Sequence, residues 1–285
     1  MKKILVTGAK GQLGKKIIEI LGAKYKLILT DSDNMDITDI DIVRKVMALE
    51  KPDYVIHGAA YTQVDKAEES VDLCRKVNAF GTKNIATVAK EFGVKLIYIS
   101  TDFVFDGSKN TPYSESDKAN PLSIYGLTKF EGEEFIRDIC EEYYIVRIAW
   151  LFGELPEGHP GTNFVEAMLR LAGERENLNV VNDQIGSPTY TGDLVKTIAK
   201  LIDASPATGT YHFSGTGECS WYDFAKEIFE QTNTLIDLKP IPSDQYPQKA
   251  KRPAYSYLDK SKIEQVLNIN VRPWQEMLKE YLAKR

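Results

Sequence analysis

The chain of 285 residues carries 36 basic and 41 acidic side chains, a net charge of −5, and 43% hydrophobic residues. A chain of this length folds as one large domain or two modest ones and can bury a sizeable core. The slight acidic excess, without a long basic run, argues against nucleic acid as a partner.

The cysteines and histidines predict a reducing compartment and no metal site. Cys74, Cys140 and Cys219 are odd in number and far apart, which fits neither a disulfide framework nor metal-ligand spacing, and the three histidines are equally scattered. The short apolar run after Met1 predicts a strand rather than a signal peptide, and no apolar run is long enough to cross a membrane. We therefore expect a cytoplasmic protein without membrane partners.

The first predicted strand, KILVT, is followed at once by GAKGQLG and then by a helical pattern of apolar residues. This order is typical of dinucleotide binding, because glycines let the backbone approach a pyrophosphate and the helix N-terminus offers free N–H groups. A plain glycine turn is the alternative interpretation. The cofactor-binding residues predicted in this turn are Gly8, Lys10, Gly11, Gln12, Leu13 and Gly14.

The second predicted strand, KLILTD, ends at Asp31. A carboxylate there can accept hydrogen bonds from the adenosine ribose and would repel a 2′-phosphate. The acidic loop that follows contains no Arg or Lys, so NADH is favoured over NADPH, and Asp36 and Ile37 are expected in the cofactor site. In the alternative interpretation this loop is simply solvated, and Thr38 or Asp39 caps the next helix.

A helix from residue 40 to 50 leads to the third strand, DYVIHGAA, whose small end residues would let a cofactor lie across Ala59, Ala60 and Tyr61. An amphipathic segment from Val71 to Phe92 follows and is interrupted near Asn78. A polar side chain in the middle of a helix is usually exposed. The fourth strand, VKLIYISTDFVFDG, delivers Ser100, Thr101 and Asp102 to the end where open parallel sheets place their ligands.

The segment LSIYGLTKFEGEE places Tyr125 and Lys129 one helical turn apart, on one helix face. A nearby ammonium lowers the pKa of a phenol, so this pair could exchange protons near neutral pH. With Thr101 it forms a predicted catalytic group of three, although a solvated helix face is the alternative for the Tyr and Lys alone.

The fifth strand, EYYIVRIAWLFG, leaves Trp150 near its end. Regular alternation of strands and helices up to residue 150 predicts an α/β fold, a Rossmann-like doubly wound parallel sheet, with residues 1–150 as the dinucleotide-binding domain. Residues 151–285 alternate less regularly. They predict a smaller substrate-binding lobe with segments that return to the first domain.

Taken together, these motifs resemble the extended short-chain dehydrogenases/reductases, and within them the dTDP-4-dehydrorhamnose reductase family, along nearly the whole chain. The wide spacing of the glycines and the Tyr-x-x-x-Lys pattern are general to the superfamily, whereas STDFVFDG and NDQIGSPTYT are much more specific. Further segments that carry the resemblance are MDITD, AAYTQVDKAE, NAFGT, RIAWLFG, NFVEAML, WYDFA and RPAYSYLD.

The resemblance implies roles for individual residues. Tyr125 would donate a proton, Lys129 would lower its pKa and hold the nicotinamide ribose, and Thr101 would bond the substrate oxygen. Asn78 would brace the cofactor side of the site. The substrate residues it implies are Thr101, Asp102, Phe103, Tyr125, Trp150, Asn163 and Arg252, the last two at the diphosphate, although Arg252 in the basic KAKRP loop could be a surface charge.

The implied reaction is the NAD(P)H-dependent reduction of the C4 keto group of dTDP-4-dehydro-6-deoxy-L-mannose to dTDP-L-rhamnose, by a monomer or homodimer.

The sequence departs from the family at a few positions. His57 and Phe103 stand where the family commonly has Asn and Tyr, and Lys15 and Lys16 replace an acidic region that bridges metal-linked dimers in some relatives. The alternatives are a nucleotide-sugar epimerase or dehydratase on the same scaffold, and a non-catalytic subunit resembling the regulator of methionine adenosyltransferase.

Overall fold

The described residues, 1–159 and 161–285 of this computed structural model, form a central sheet of six parallel strands and three small two-stranded sheets. The strands in chain order are β1 (Lys3–Thr7), β2 (Lys26–Thr30), β3 (Tyr54–His57), β4 (Lys95–Thr101), β5 (Tyr143–Ile148), β6 (Leu151–Phe152), β7 (Asn177–Val181), β8 (Ile185–Gly186), β9 (Thr189–Tyr190), β10 (Gly209–Phe213), β11 (Cys219–Ser220) and β12 (Asp237–Ile241).

Helices cover both faces of the central sheet. The helices in chain order are α1 (Gln12–Leu21), α2 (Ile40–Glu50), α3 (Val64–Ala67), α4 (Val71–Arg75), α5 (Thr82–Glu91), α6 (Ile124–Ile139), α7 (Phe164–Glu174), α8 (Thr191–Ala204), α9 (Trp221–Gln231), α10 (Ser261–Leu267) and α11 (Trp274–Leu282). A π-helical turn, Lys76–Gly81, joins α4 to α5 without a break. No helix among the described residues is long and apolar enough to cross a membrane.

The order of strands across the central sheet is β10, β5, β4, β3, β1, β2. After β2, on one side of β1, the chain crosses to β3 on the other side, so the strand order reverses between β1 and β3. Open parallel sheets bind ligands outside the carboxyl ends of the strands at such a point. The predicted Rossmann-like α/β fold is confirmed.

The apolar run of β1 is buried on both faces, as expected for a strand in the middle of a covered parallel sheet. Ile4 and Val6 belong to a core that includes Ile17 of α1. Leu5 points to the opposite face, into a core that includes Ile136 of α6. Period-two alternation therefore divides one strand between two apolar layers.

The second half of the chain returns to the first. β10 pairs in parallel with β5 at the edge of the central sheet, and Ile198 of α8 shares an apolar core with Ile17 of α1. The three small sheets, β6 with β9, β7 with β12 and β8 with β11, lie in this second half. Residue 150 therefore does not separate two independent cores.

Candidate active site

A cavity of about 1500 Å³ lies at the carboxyl ends of the central strands. It collects residues that are far apart in the sequence, because every parallel strand ends at the same edge. The predicted residues in its wall are Gly8, Lys10, Gly11, Gln12, Leu13, Gly14, Asp31, Asp36, Ile37, Ala59, Ala60, Ser100, Thr101, Asp102, Phe103, Tyr125, Lys129, Trp150, Asn163 and Arg252. Tyr61 and Asn78, also predicted for the cofactor site, are not among the residues that line the cavity.

The glycine turn exposes backbone atoms to the cavity, because its glycines have no side chains to cover them. Gly8 has a φ of +71°, in the left-handed region, and a Cβ added to it would lie 2.9 Å from the backbone nitrogen of Ala59. Gly11 precedes α1, and no side chain caps the first turn of that helix. Its backbone N–H groups are thus available to an anion, as at other dinucleotide sites.

Asp31 follows the end of β2 and is tied to the glycine turn. Its carboxylate accepts hydrogen bonds from the backbone nitrogens of Lys10 (3.0 Å) and Ser32 (2.8 Å). The side chain of Lys10 forms an exposed ion pair with Asp33 at 2.6 Å. The acidic loop after β2 is therefore paired with a cation, Lys10, which belongs to the glycine turn and not to the loop itself.

Asn78 lies on the π-helical turn and is buried, contrary to the usual exposure of a polar residue within a helix. Its side-chain oxygen accepts from the backbone nitrogen of Tyr61 at 2.7 Å, and its nitrogen donates to the Tyr61 carbonyl at 3.1 Å. The same nitrogen lies 3.2 Å from the hydroxyl of Thr128 on α6. Asn78 thus joins the loop after β3 to the helix that carries Tyr125.

A chain of hydrogen bonds runs beneath the cofactor side of the cavity. Ala59 N donates to Thr7 Oγ1 (3.1 Å), Thr7 Oγ1 is 2.7 Å from His57 Nδ1, and His57 Nε2 is 3.0 Å from Thr82 Oγ1. Thr82 in turn donates to the Asn78 carbonyl at 2.6 Å. Complete burial lowers the pKa of His57 to about 3, so the imidazole is neutral and donates through Nε2.

The start of α6 fixes Tyr125. Ser123 caps the helix by accepting from the backbone nitrogen of Gly126 at 3.1 Å. The Tyr125 ring packs edge-on against Phe103, with ring centroids 5.6 Å apart. Phe103 thus holds the tyrosine by aromatic contact, with no hydroxyl of its own to offer a substrate.

Lys129 is buried beside β4. Its Nζ donates to the Ile99 carbonyl at 2.8 Å and lies 4.0 Å from the centroid of the Tyr98 ring. Burial lowers the pKa of Lys129 to about 7, opposed by the charge of Glu133. The ammonium is therefore close to its titration point at neutral pH.

The predicted lowering of the Tyr125 pKa by Lys129 is wrong for this structure. Burial instead raises the pKa of the Tyr125 hydroxyl, and the nearby Asp102 carboxylate raises it further, while Thr101 opposes the shift. The Nζ of Lys129 donates to the Ile99 carbonyl, and the lysine charge does not offset this rise. Tyr125 is consequently protonated at neutral pH.

A buried ion network supports the helix that carries Tyr125 and Lys129. Glu133, one turn beyond Lys129, accepts from the Ser100 hydroxyl at 2.5 Å and from Arg147 at 2.6 and 2.9 Å. Arg137 also contacts Glu133, at 2.7 Å. The charge of these guanidinium groups keeps the Glu133 pKa low against a large desolvation cost, so the carboxylate stays ionised near Lys129.

Asp102 is buried next to Thr101. Its carboxylate accepts from the Thr101 hydroxyl at 3.1 Å and from the Ser256 hydroxyl at 2.6 Å. Burial raises the pKa of Asp102 to about 6, and these two hydrogen bonds limit the rise. Ser256 comes from the far end of the chain, so the second half completes the environment of a first-half residue.

An aromatic stack forms the far wall of the cavity. Trp150, with an unusual φ of +47°, stacks on Trp221 with ring centroids 3.6 Å apart and an interplanar angle of 11°. Gly186 makes room for it, because a Cβ there would lie 2.8 Å from the Trp150 ring. A strained backbone held by close packing is typical of binding sites.

Asn163 and Arg252 both reach the cavity, but each has other partners. Asn163 caps α7 by accepting from Glu166 N (3.0 Å) and donates to the carbonyl oxygen of Gly153 (2.8 Å). Arg252 forms a two-point ion pair with Asp65, at 2.7 and 3.1 Å. The predicted contact of these two residues with a diphosphate stays a prediction.

Comparison with known proteins accounts for this arrangement. The model of the RmlD substrate binding domain matches residues 1–285. The chain belongs to this family. It is 41% identical to the spore coat polysaccharide biosynthesis protein SpsK of Bacillus subtilis, covering 100% of this chain and 98% of that protein. It is 39% identical to dTDP-4-dehydrorhamnose reductase of Aggregatibacter actinomycetemcomitans, covering 99% of each.

A solved structure has the same fold throughout. The dTDP-4-dehydrorhamnose reductase of Bacillus anthracis, in complex with NADP, superposes with a TM-score of 0.95 at 41% identity and covers 100% of both chains. The predicted membership of the dTDP-4-dehydrorhamnose reductase family is confirmed.

The sequence of this RmlD-family chain left three site residues unassigned. Trp221 was visible only as part of an aromatic helix start, Ser256 only within the family segment RPAYSYLD, and Asp65 only within AAYTQVDKAE. Their contacts with Trp150, Asp102 and Arg252 span between 71 and 187 positions. A family segment marks such residues, but their partners emerge only in the fold.

Proposed function

We propose that this chain reduces the C4 keto group of dTDP-4-dehydro-6-deoxy-L-mannose to give dTDP-L-rhamnose, the reaction for which its reductase relatives are named. The observation that carries the proposal is the junction of two sites in one cavity. The glycine turn and Asp31 line the same cavity as Trp150 and Arg252, and Thr101, Tyr125 and Lys129 line it too.

The residues present fit a nicotinamide dinucleotide. Gly8 keeps the turn open where any Cβ would strike the backbone, and the uncapped start of α1 offers N–H groups to a pyrophosphate. Asp31 supplies a carboxylate for the ribose. A nicotinamide cofactor held there supplies the hydride that the carbonyl carbon accepts.

The part played by this chain is to position the keto sugar and deliver a proton. Thr101 and Tyr125 would bond the carbonyl oxygen, and Tyr125 would transfer its hydroxyl proton as that oxygen becomes an alkoxide. A raised pKa suits this direction of reaction, because Tyr125 keeps its proton until a more basic alkoxide forms. Lys129 would hold the nicotinamide ribose, the other role that the resemblance implies for it.

The same geometry supports NADH as the favoured cofactor. Asp31 would repel a 2′-phosphate, and the charge of Lys10, the cation next to it, is balanced by Asp33 at 2.6 Å. NADPH remains an alternative, and the Bacillus anthracis relative is in complex with NADP.

The proposal also assigns parts of the site to parts of the chain. Residues 1–150 would hold the dinucleotide, and residues 151–285 would supply most of the substrate side through Trp221, Ser256 and Arg252. A nucleotide-sugar pathway of this kind implies a cytoplasmic location.

The test is a turnover assay that follows NADH absorbance with dTDP-4-dehydro-6-deoxy-L-mannose as substrate. Consumption of NADH and formation of dTDP-L-rhamnose are the expected results. An epimerase would convert the sugar without net NADH loss, and a regulatory subunit would do neither. Turnover of dTDP-4-keto-6-deoxy-D-glucose alone, the substrate in the name of a Streptomyces niveus relative that is 36% identical, would replace the proposed substrate.

A further inference from the structure

A segment that we call the strap, residues 249–259, borders the cavity through Arg252. Hydrogen bonds at both of its ends hold it in place. Ser256 N donates to the Ile185 carbonyl at 2.7 Å, and the Ser256 hydroxyl donates to Asp102 at 2.6 Å. Asp259 N donates to the Tyr113 carbonyl at 2.8 Å. The other end of the strap is fixed by one side chain of the first half, Asp65 at the start of α3.

Asp65 accepts four hydrogen bonds from the strap. The backbone nitrogens of Lys249 and Ala250 donate at 3.0 and 3.1 Å, and Arg252 donates through Nη1 at 3.1 Å and Nη2 at 2.7 Å. The Arg252 guanidinium lowers the pKa of Asp65, so the carboxylate is ionised at neutral pH. A two-point ion pair of this kind fixes the plane of a guanidinium as well as its place.

The ion pair with Asp65 uses the Nη1–Nη2 edge of the Arg252 guanidinium and leaves the Nε–Nη2 edge without a partner among the described residues. Nη1 is saturated, because it also donates to Gln248 Oε1 at 2.7 Å and to the Ala250 carbonyl at 3.2 Å. Among the residues that the structure describes, the Nε–H and one Nη2–H of Arg252 have no acceptor. These two donors form the side edge of the guanidinium, which matches two oxygens of a phosphate.

Among the described residues that line the cavity, Arg252 is the guanidinium cation, and it lies on the substrate side. Lys10 and Lys15 lie at the glycine turn, and Lys129 is buried beside Tyr125, whereas Arg252 lines the cavity next to Asp102 and Trp221. Its side chain is 19% exposed, so it reaches the cavity without being a free surface charge.

We propose that Asp65 is a positioning residue for substrate binding, which orients the free edge of Arg252 toward the diphosphate of a nucleoside diphosphate sugar. This inference rests on the proposed function and adds a specificity residue to it. Because the Asp65–Arg252 pair has no net charge, it would bind a diphosphate through hydrogen bonds from two N–H groups of Arg252 that Asp65 holds in position. If bare positive charge were what mattered, removing the acid would tighten binding.

The experiment compares Asp65→Asn, Arg252→Gln and the double variant, with dTDP and thymidine as probes, by calorimetry on the NADH-saturated enzyme. We expect each single variant to bind dTDP roughly tenfold more weakly, the loss of about one charge-assisted hydrogen bond, and the double variant to be no weaker than Arg252→Gln. Thymidine, which lacks phosphate, should bind all variants alike. The matched control is Glu69→Gln, which removes the other acid that pairs with the strap, at exposed Lys249.

Each outcome has one meaning. Tighter or unchanged dTDP binding by Asp65→Asn overturns the inference, as does additive weakening in the double variant. Equal losses of affinity for dTDP, thymidine and NADH would show that Asp65 only maintains the fold, and would also overturn the inference. If the wild-type enzyme reduces the keto sugar while Asp65→Asn keeps its KM, the positioning role fails and the proposed function stands. If the wild-type chain neither binds dTDP nor turns over the keto sugar, the proposed function itself fails.

Discussion

Replacing Lys129 by methionine should remove activity and yet stabilise the ligand-free protein. The side chain is buried, and its pKa of about 7 means that the fold disfavours the ammonium strongly. A pKa lowered from 10.5 to about 7 corresponds to roughly 5 kcal/mol, at about 1.4 kcal/mol per pH unit. This cost is present in full below pH 7, where the lysine is charged in both the folded and the unfolded chain.

The pH dependence follows from the direction of the shift. Between about pH 7 and 10, the folded lysine is neutral while the unfolded one is still charged, so the unfolded chain binds more protons and wild-type stability rises with pH. The gain in unfolding free energy of Lys129→Met over the wild type should therefore be largest below pH 7 and should decrease toward pH 10. The variant also loses the bond to Ile99 and the contact with Tyr98, which reduces the expected gain to about 3 kcal/mol.

Thermal unfolding of the cofactor-free protein measures this effect. A gain of about 3 kcal/mol raises Tm by roughly 6 °C in a chain of this size. Lys226→Met, at an exposed lysine of α9, is the matched control because it has no burial cost to remove. A Tm difference that stays constant from pH 6 to pH 10, or a variant less stable throughout, would refute the reasoning that desolvation dominates at Lys129.

Three further predictions concern the cavity. Tyr125→Phe should lower turnover by about 10²- to 10⁴-fold, the usual contribution of a positioned acid, and leave the NADH Kd nearly unchanged; steady-state kinetics with full residual activity would remove its assigned role. Asp31→Ala should narrow the ratio of kcat/KM for NADH over NADPH, and an unaltered ratio would mean that the carboxylate does not face the ribose. Gly186→Ala should displace the Trp150 ring, which a Cβ would approach to 2.8 Å, and raise the KM for the sugar nucleotide by roughly tenfold. A change in cofactor Kd alone would instead assign Trp150 to the nicotinamide end.

Local patterns were sufficient wherever the determining residues are neighbours in the chain. The strand, glycine turn and helix from residue 3 to 21 follow from an apolar run, three glycines and a helical repeat. Helix α2 begins after its cap, Asp39, and ends at Glu50, as the spacing predicts. The i,i+4 spacing alone places Tyr125 and Lys129 on one helix face.

The pKa values of the site residues could not be predicted from the sequence, because they depend on burial in the fold. Pairing on a helix suggested that Lys129 would lower the Tyr125 pKa, but the fold encloses both groups, and desolvation raises the one and lowers the other. Asn78 shows the same principle. A polar residue within a helix is usually exposed, but hydrogen bonds to the backbone of Tyr61 and to the Thr128 hydroxyl satisfy the Asn78 amide and permit its burial.

The sequence by itself determined the main alternation of strands and helices up to residue 150, the glycine turn and the helix that carries Tyr125 and Lys129, since each depends on side chains a few positions apart. The tertiary structure decided which distant groups meet: Asp102 with Ser256, Trp150 with Trp221, and Asp65 with Arg252. Such pairs carry no spacing rule, because loops of very different length can close on the same edge of a parallel sheet.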